Sequence, residues 1–592
     1  MPHMFRTHTC GELNASHDGE SVTLNGWVDS TRLHGSLVFI DVRDRYGVTQ
    51  VVFDESEDPD LLARARELHL EYCIAVRGVV RKRPDGLVNP DRATGEIEVL
   101  ARELRVFSKA KPLPFVISDP ETPGEDVRMR YRFLDLRRPA MQEAMGFRSR
   151  FAHSLRRFME SEGFLEIETP FLARSTPEGA RDYLVPSRVN PGKFYALPQS
   201  PQQFKQLLMV GGCDRYYQLA RCFRDEDLRA DRQPEFTQID IEMAFAGRDE
   251  VLDLSERLMA HTFRDTLGVE LSLPFPRMSY AEAVERFASD KPDLRFDIEV
   301  ATLNDLFAET DFRVFRSVIE GGGLLRGMRV PGCASWSRKM ISSLERVVLS
   351  SGAKGMAWLK FTAEGAFEGP IAKFVPAPLA ARVAERLGAE KGDLLCFVAD
   401  EPQTANVAMA NLRKHVGREL ELYDPSRFVF LWVLDFPLFK WDEEEGRYVS
   451  EHHPFTSPVP QDPAVFDRPL EQIPSASYDL VLNGEEIASG SQRIHDPEVQ
   501  RRVFEVLKLG EEEIRRKFGF FIDALAYGTP PHAGIAFGYD RIISICLGRD
   551  SIREVIAFPK NTRAVDMMTG APSEVDPAQL AELRIRLDLD GN

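Results

Sequence analysis

Residues 1 to about 110 alternate hydrophobic and polar positions with the two-residue period of a β-strand. The runs that carry the alternation are rich in β-branched residues: Ser21–Val28, Ser36–Arg43, Val48–Phe53 and Tyr72–Val80. Turn-forming residues such as Tyr46-Gly47 and Pro84-Asp85-Gly86 separate these runs. About five short strands in this length predict a small β-barrel, and the oligonucleotide-binding barrel is one such fold.

The pattern changes after the barrel. A stretch rich in proline and acidic residues, 111–124, predicts a linker. An amphipathic helix follows, because Phe147, Phe151, Leu155 and Phe158 recur at helical spacing and Gly163 lies just past them. The rest of the chain mixes strands and helices. We predict a barrel domain at 1–110, a linker at 111–140, a catalytic domain in two parts at 141–295 and 421–592, and an inserted domain at 296–420.

The stretch from Ser200 to Phe245 is the richest in candidate chemistry. Ser200 reads as a helix N-cap, Pro201 as the first helical residue and Gly211-Gly212 as the stop, which places Lys205 one turn into a helix. A charged loop then leads into a strand, 237–245.

Gln238, Asp240 and Glu242 share one face of that strand, and Ile239 and Ile241 share the other. A strand face of this composition would ordinarily meet solvent. The arginine-rich loop directly before it instead favours a site with cations and anions side by side.

Length and composition narrow the class of protein. A chain of 592 residues predicts three or four domains. The net charge of −18 argues against a non-specific DNA or RNA binder, so any RNA must be bound through local basic patches. Seven scattered cysteines without a CxxC pair favour neither a disulfide framework nor a zinc site. With no apolar run long enough to cross a bilayer and no secretory signal at residues 1–8, we expect a cytoplasmic protein without a membrane partner.

Three ordered motifs resemble those of the class II aminoacyl-tRNA synthetases: Gly163–Pro170 is similar to motif 1, Phe223–Glu226 to motif 2 and Gly534–Arg541 to motif 3. Further runs resemble the bacterial-type aspartyl-tRNA synthetases: Ser175–Pro186, Tyr195–Gln202, Ser289–Arg295, His452–Pro458 and Phe558–Lys560. The resemblance implies a multidomain α+β fold. Its parts are an N-terminal oligonucleotide-binding barrel, an antiparallel sheet flanked by helices and an inserted α+β domain, the GAD domain of this family. It also implies a homodimer.

The resemblance also implies the reaction, in which aspartate attacks the α-phosphate of ATP and is then transferred to tRNA. A pentavalent phosphorus carrying this much negative charge needs cations fixed in place. Arg224 would hold the α-phosphate and the substrate carboxylate, Arg541 would hold the γ-phosphate, and Glu226 would lie near the adenine, as the catalytic residues. Mg²⁺ would bind Asp479 and Glu486. The implied ATP-binding residues are Arg224, Glu226, Gln233, Gln238, Glu486, Gly538 and Arg541.

Selecting aspartate requires recognition of its side-chain carboxylate. Arginine can meet a carboxylate with two parallel N–H donors. The resemblance assigns this role to Arg493 with Lys205 beside it, and places His452 and His453 over the same pocket. A histidine pair is otherwise usually structural or solvent-facing. The implied ligands of the ammonium group are Glu178, Ser200, Gln202 and Asp240. The chain departs from the family pattern at Ala488-Ser489, where glycines are common; small side chains should be tolerated there.

In this family the barrel binds the anticodon. The resemblance positions Phe39 to stack a base and Gln50 to read one, which is how single-stranded RNA is usually recognised. The alternative for Phe39 is core packing. Relatives that charge both tRNA-Asp and tRNA-Asn tend to carry a histidine and a glycine at the positions of His34 and Gly86. We therefore expect an enzyme that charges both tRNAs.

Three alternatives remain at this point. The first is an enzyme that charges tRNA-Asp only. The second is an asparaginyl or lysyl synthetase, although these relatives normally lack the inserted domain. The third is a non-catalytic RNA-binding relic, which would be expected to have lost a motif arginine; Arg224 and Arg541 are both present.

Overall fold

The computed structural model describes residues 4–84, 86–118, 122–175, 180–443 and 445–589. The chain divides into two compact units. One unit comprises Met1–Gly146 with Arg553–Glu574, and the other comprises Phe147–Ile552 with Val575–Asn592. Among the described residues, no helix is both long enough and apolar enough to cross a membrane.

The predicted β-barrel is confirmed in the first unit. Its elements are β1 (Ser21–His34), β2 (Leu37–Arg43), β3 (Val48–Asp54), α1 (Pro59–Arg66), β4 (Cys73–Lys82) and β5 (Ile97–Ser108). The strands close in the order β1-β2-β3-β5-β4. Val38, Ile40 and Val42 of β2 are fully buried and pack inside, as strand alternation requires. Two short helices, α2 (Glu125–Arg130) and α3 (Arg132–Asp135), follow the barrel within the stretch predicted as a linker.

The next segment contains α4 (Pro139–Ser161), β6 (Leu165–Glu166), β7 (Leu184–Pro186), β8 (Phe194–Ala196), α5 (Gln202–Val210), β9 (Arg215–Phe223), β10 (Glu235–Ala244), α6 (Arg248–Leu267), β11 (Arg277–Ser279) and α7 (Tyr280–Phe287). The amphipathic helix predicted from four apolar residues is α4, and those residues are at most 8% exposed. Gly163 follows it with φ +77°, a left-handed conformation that favours glycine.

One predicted helix boundary was wrong. Helix α5 begins at Gln202, and Pro201 is its N-cap residue, because the carbonyl of Pro201 accepts the first helical hydrogen bond from Lys205 at 3.0 Å. Ser200 therefore lies one residue outside the helix instead of capping it. The predicted glycine stop is confirmed at Gly211-Gly212.

A separate five-stranded sheet occupies the inserted region. Its elements are β12 (Val300–Thr302), α8 (Arg313–Glu320), β13 (Leu324–Val330), α9 (Arg338–Ser350), β14 (Ala357–Phe361), β15 (Phe367–Glu368), α10 (Ala377–Arg386), β16 (Leu394–Asp400) and α11 (Pro402–Glu419). The strand order is β12-β13-β16-β14-β15. Strand β16 is buried on both faces: Cys396 and Val398 pack with α9 and α11, whereas Leu395 and Phe397 pack with α8 and α10.

The last segment contains β17 (Phe430–Leu434), β18 (Phe439–Asp442), β19 (Arg447–Ser450), β20 (Ser477–Leu482), β21 (Glu485–Gln492), α12 (Pro497–Val506), α13 (Glu511–Leu525), β22 (His532–Gly538), α14 (Tyr539–Cys546) and α15 (Pro577–Leu583). Together with earlier strands it builds an eight-stranded sheet in the order β11-β17-β20-β21-β22-β10-β9-β6.

The eight-stranded sheet is antiparallel except at its two edges. Strand β6 pairs with β9, and β11 pairs with β17, in parallel. Parallel neighbours need a long crossover connection. Both pairs have one, because β7, β8 and α5 separate the first pair and the whole inserted region separates the second. The expected antiparallel sheet is therefore confirmed, and it carries one parallel strand at each edge.

Candidate active site

A cavity of about 510 Å³ lies over one face of the eight-stranded sheet. The pairing register sets Asp240 of β10 opposite Ala536 of β22, Ala536 opposite Ser489 of β21, and Ser489 opposite Asp479 of β20. Directly opposed residues of antiparallel strands project from the same face. These four side chains therefore form one row across the cavity floor, and all four line the cavity.

Two cations and two carboxylates are buried together at the end of this row that Asp240 occupies. The side chains of Lys205, Asp240, Glu242 and Arg493 are each at most 1% exposed. Lys205 Nζ lies 2.6 Å from Asp240 Oδ1 and 3.3 Å from Glu242 Oε2. Arg493 binds Glu242 with two parallel hydrogen bonds, Nε to Oε1 at 2.9 Å and Nη2 to Oε2 at 3.1 Å. The attraction between the opposite charges offsets part of the cost of removing them from water.

The charge state of each carboxylate follows from its neighbours. Burial raises the pKa of Asp240, and the Lys205 ammonium lowers it only in part. Burial also acts on Glu242, but the charges of Arg493 and Lys205 outweigh it and lower the pKa of that carboxyl. Glu242 is therefore the anion that holds both cations in position. The alternative in which this strand face meets solvent is excluded.

Glu242 was not among the residues predicted for the site, although strand alternation put it on the same face as Asp240. The backbone fits closely around it. A Cβ at Gly534 would lie 1.9 Å from Glu242 Oε2, and a Cβ at Gly490 would lie 2.3 Å from the Gly534 carbonyl oxygen. Any side chain at either position would clash, so both glycines are needed for this packing.

The two cations keep donors for a ligand. Arg493 Nη1 donates to His453 Nε2 and to Ser491 Oγ, both at 2.6 Å. An arginine has five N–H donors and a lysine has three. Within the described residues, four donors of Arg493 have hydrogen-bond partners, while Lys205 donates one hydrogen bond to Asp240 and forms an ion pair with Glu242. Each cation therefore keeps at least one N–H for a carboxylate oxygen.

The two histidines line the cavity, and the pKa values of their side chains are shifted in opposite directions. His452 Nε2 lies 3.3 Å from Asp479 Oδ1. Burial opposes the charge on His452, but the hydrogen bond and charge of Asp479 prevail and raise its pKa. Burial and the nearby Arg493 lower the pKa of His453 well below its usual value. The solvent-facing alternative therefore fails for both, and His453 is neutral where it accepts from Arg493.

Two carboxylates of neighbouring strands, Asp479 and Glu486, line the cavity near His452. Burial and then the charge of Asp479 raise the pKa of Glu486, while Arg541 opposes that rise. Two carboxylates that line one cavity from neighbouring strands are suited to a hard cation such as Mg²⁺. The pair therefore fits the metal ligands expected from the sequence.

The charged loop between β9 and β10 forms another wall. The Arg224 guanidinium lies 5.1 Å from the centroid of the Phe236 ring. Glu226 accepts a hydrogen bond from Arg232 at 3.1 Å. Arg541, in the first turn of α14, donates to Asp231 Oδ2 at 3.2 Å and to the Glu486 carbonyl. The two motif arginines therefore line the same cavity as the buried ion cluster.

Several buried polar atoms of the cavity lack partners within the part of the chain that the structure describes. They are Nε of Arg224, Nε of Arg541, Oδ2 of Asp240 and Nδ1 of His452. A buried polar group without a hydrogen bond costs about 1–3 kcal/mol. Two unpaired guanidinium donors and one carboxylate acceptor thus point to a ligand that carries both negative and positive charge.

The other predicted site residues are distributed as follows. Ser200, Gln202, Gln233, Gln238 and Gly538 line the same cavity. Glu178 lies outside the described residues, so its position is not assigned. The unusual residues Ala488 and Ser489 also line the cavity, and Ser489 occupies the floor between Ala536 and Asp479.

The barrel presents a separate polar surface. Phe39 is half-buried, whereas its neighbours Val38 and Ile40 are in the barrel core, so Phe39 belongs to the outer face. Core packing therefore does not explain Phe39. Gln50 lies on the same face, where its carbonyl accepts from Arg32 at 3.0 Å and its amide donates to Glu98 at 2.8 Å. Gln50 is 7% exposed, and its amide has a second N–H and a second lone pair beyond these two bonds.

The two positions associated with tRNA choice lie in turns. His34 is exposed at the end of β1, and Gly35 follows with φ +58° in the hairpin to β2. Gly86 is exposed with φ +86° in the connection between β4 and β5. Both positions are accessible to a ligand on the barrel.

Comparisons with known proteins agree with this geometry. A family model described as "tRNA synthetases class II (D, K and N)" matches residues 124–562, and one described as "OB-fold nucleic acid binding domain" matches residues 22–107. The chain is 52% identical to the "Aspartate--tRNA(Asp/Asn) ligase" of Moorella thermoacetica, over 98% of the chain and 97% of the relative. It is 50% identical to the protein of that name from Desulfatibacillum aliphaticivorans, over 99% and 98%.

Solved structures share the fold at low identity. An asparaginyl-tRNA synthetase from Pyrococcus horikoshii, complexed with asparaginyl-adenylate, superposes with a TM-score of 0.59 at 18% identity, covering 93% of this chain and 97% of that one. The aspartyl-tRNA synthetase from Entamoeba histolytica superposes with a TM-score of 0.56 at 20% identity, covering 93% and 90%.

Proposed function

The chain belongs to the class II tRNA synthetases of the aspartate, lysine and asparagine group, and we propose that it is an aspartate–tRNA(Asp/Asn) ligase. It activates L-aspartate with ATP to aspartyl-adenylate and pyrophosphate, and then transfers aspartate to the terminal adenosine of tRNA-Asp and tRNA-Asn. The observation that carries the substrate assignment is the buried pair Lys205 and Arg493, each with at least one donor left for a carboxylate.

The buried end of the cavity is suited to aspartate. Arg493 and Lys205 would bind its side-chain carboxylate. Asp240 Oδ2, which has no partner among the described residues, would accept from its ammonium group. Gln202, Ser200, His452 and His453 would complete the pocket, and we assign Glu178 to the ammonium group by resemblance alone. Asparagine would present an N–H₂ to the two cations, and an N–H donor facing donors is disfavoured.

The more exposed end of the cavity is suited to ATP. The Arg541 side chain is 25% exposed, against 1% for Arg493. The α-carboxylate oxygen of aspartate attacks the α-phosphorus, a P–O bond forms, and the bond to the leaving pyrophosphate breaks. Arg224 would hold the α-phosphate and Arg541 the γ-phosphate while negative charge accumulates. Glu226, Gln233, Gln238 and Gly538 would contact the rest of the nucleotide.

We propose that Asp479 and Glu486 hold Mg²⁺ in this site. Bound Mg²⁺ would neutralise phosphate charge, and it usually keeps waters and binds through one or two carboxylates. The support for this ligand pair is that the two carboxylates line the cavity from the neighbouring strands β20 and β21.

We propose that the outer face of the barrel binds the anticodon, with Phe39 stacking on a base and Gln50 reading one. The half-buried position of Phe39 and the remaining hydrogen-bonding capacity of Gln50 support this assignment. His34 and Gly86 would permit either third anticodon base. The double substitution His34→Leu with Gly86→Lys should therefore reduce charging of tRNA-Asn more than charging of tRNA-Asp.

We also propose a cytoplasmic homodimer. Apolar side chains that follow α4 remain exposed in the single chain: Leu165 at 56%, Phe171 at 49% and Leu172 at 55%. Clustered exposed apolar residues are typical of protein interfaces. Mass measurement in solution at micromolar concentration would test the dimer.

The test of the activity is ATP–pyrophosphate exchange with single amino acids. We expect exchange with aspartate and little with asparagine or lysine. Exchange with asparagine or lysine instead would favour the rival synthetases. No exchange with any amino acid, by protein that binds tRNA, would favour the non-catalytic alternative.

A further inference from the structure

A short segment, Ser289–Arg295, joins helix α7 to the inserted region and also borders the cavity. Its residues Asp290 and Lys291 line the cavity, although they belong to none of the three synthetase motifs. Lys291 is exposed, and it forms no ion pair within the described parts of the chain. A solvated surface lysine is the ordinary explanation for such a residue. The way the segment is held argues against that explanation.

The segment is fixed by bonds on both sides of Lys291. The Lys291 backbone N–H donates to Ser289 Oγ at 3.1 Å. The Asp293 carboxylate accepts from the Arg295 guanidinium at 2.7 Å. Arg413 of α11, which is 3% exposed, donates to the Asp293 carbonyl at 2.9 Å. The position of Lys291 is therefore set by the fold of the inserted region.

The same segment packs against the hairpin between β20 and β21. Gly484, with φ +81°, forms the tip of that hairpin, and a Cβ there would lie 2.8 Å from Asp293 Cβ. The two strands of the hairpin carry Asp479 and Glu486. Lys291 and Glu486 thereby line the same cavity.

We propose that Lys291 binds the pyrophosphate end of ATP, so that the inserted region contributes a residue to nucleotide binding. The proposal rests on the proposed function, because it takes ATP as the ligand of this cavity. Lys291 has an exposed ammonium without an ion-pair partner among the described residues, and it lines the cavity together with Glu486 and Arg541. Arg541 is the residue to which we assign the γ-phosphate, so the Lys291 ammonium lies at the end of the cavity that would hold the β- and γ-phosphates. It would act as a point charge on the phosphates.

The test compares Lys291→Met with Lys291→Arg in the full-length enzyme. Loss of one charge-assisted phosphate contact should raise the KM for ATP, and for pyrophosphate in the reverse direction, about tenfold. The KM for aspartate should stay within about twofold, and Lys291→Arg should recover most of the loss. Lys414→Met is the matched control, because Lys414 pairs with the neighbouring Glu485 and does not line the cavity.

The outcomes separate this proposal from the proposed function. Wild-type exchange with unchanged KM values for ATP and pyrophosphate in Lys291→Met would overturn the role of Lys291 and leave the activity intact. If the wild type shows no exchange, equilibrium dialysis with magnesium and ATP still decides: equal affinities of the wild type and Lys291→Met would overturn the proposal. A similar loss in Lys414→Met would assign the effect to general charge and would also overturn it.

Discussion

Replacing Arg493 by leucine tests the buried ion cluster directly. The cluster holds two cations and two anions, and the change leaves Lys205 alone with Asp240 and Glu242. Glu242 loses both of its hydrogen bonds from the guanidinium. The pocket that should receive a carboxylate then carries excess negative charge.

The expected size of the effect follows from these contacts. Truncating one partner of a buried, hydrogen-bonded charge pair in a binding site costs about 2–5 kcal/mol of binding free energy, largely because the other charge stays buried. At about 1.4 kcal/mol per factor of ten, kcat/KM for aspartate should fall about 30- to 4,000-fold. Arg493→Lys keeps the positive charge but loses the two parallel N–H donors of the guanidinium, so its decrease in kcat/KM for aspartate should be intermediate.

The assay is aspartate-dependent ATP–pyrophosphate exchange, measured alongside thermal unfolding. Arg326→Leu is the matched control, because Arg326 is also 1% exposed but lies in the inserted sheet, where it bonds to Asn406 and Glu285. The control should lose stability and keep kcat/KM for aspartate within about threefold. Arg493→Leu with kcat/KM within tenfold of the wild type would refute the carboxylate-binding role of Arg493.

Three further predictions concern other parts of the molecule. Ser489→Gly should leave kcat/KM within about threefold, whereas Ser489→Val should raise the KM for aspartate or ATP about tenfold by crowding the cavity floor; equal kinetics for both variants would contradict the placement of Ser489. Phe39→Ala should lower kcat/KM for tRNA about tenfold, the loss of one base stack, and leave ATP–pyrophosphate exchange unchanged; a parallel loss of exchange would indicate a folding defect instead. Burial and Arg493 lower the pKa of His453, so the unfolded chain takes up a proton below about pH 6.5 that the folded chain excludes, and stability falls as pH falls. His453→Gln should flatten that dependence by up to about 1.4 kcal/mol per pH unit in urea unfolding, and an unchanged slope would contradict the neutral, buried His453.

The parts of the fold that local pattern determines were predictable. The barrel strands carry apolar residues at two-residue spacing, as Val38, Ile40 and Val42 show in β2, and these residues form the barrel core. Helix α4 has its apolar residues at helical spacing, and all of them are buried. In both cases one periodicity specifies both the element and its buried face.

The parts of the fold that depend on pairing between distant segments could not be predicted from local pattern. The edges of the large sheet are parallel because β6 and β11 return to distant strands, and nothing in two- or three-residue strands reveals that pairing. Glu242 shows the same limit within the site. Alternation placed it on the face of Asp240, but its role depends on Arg493, which lies far along the chain. The buried arginine was predictable only from the family motif.

The most direct test of the account is aspartylation of separate tRNA-Asp and tRNA-Asn transcripts, compared by kcat/KM at matched salt concentration. The account predicts that both transcripts accept aspartate with kcat/KM values within about tenfold of each other. The two tRNAs differ at the third anticodon base, and a base at which the enzyme does not discriminate adds no free-energy penalty for the second tRNA. Charging of tRNA-Asp alone would contradict the assignment of both tRNAs and the roles of His34 and Gly86. If neither transcript is charged, the proposed aspartate–tRNA ligase activity is contradicted.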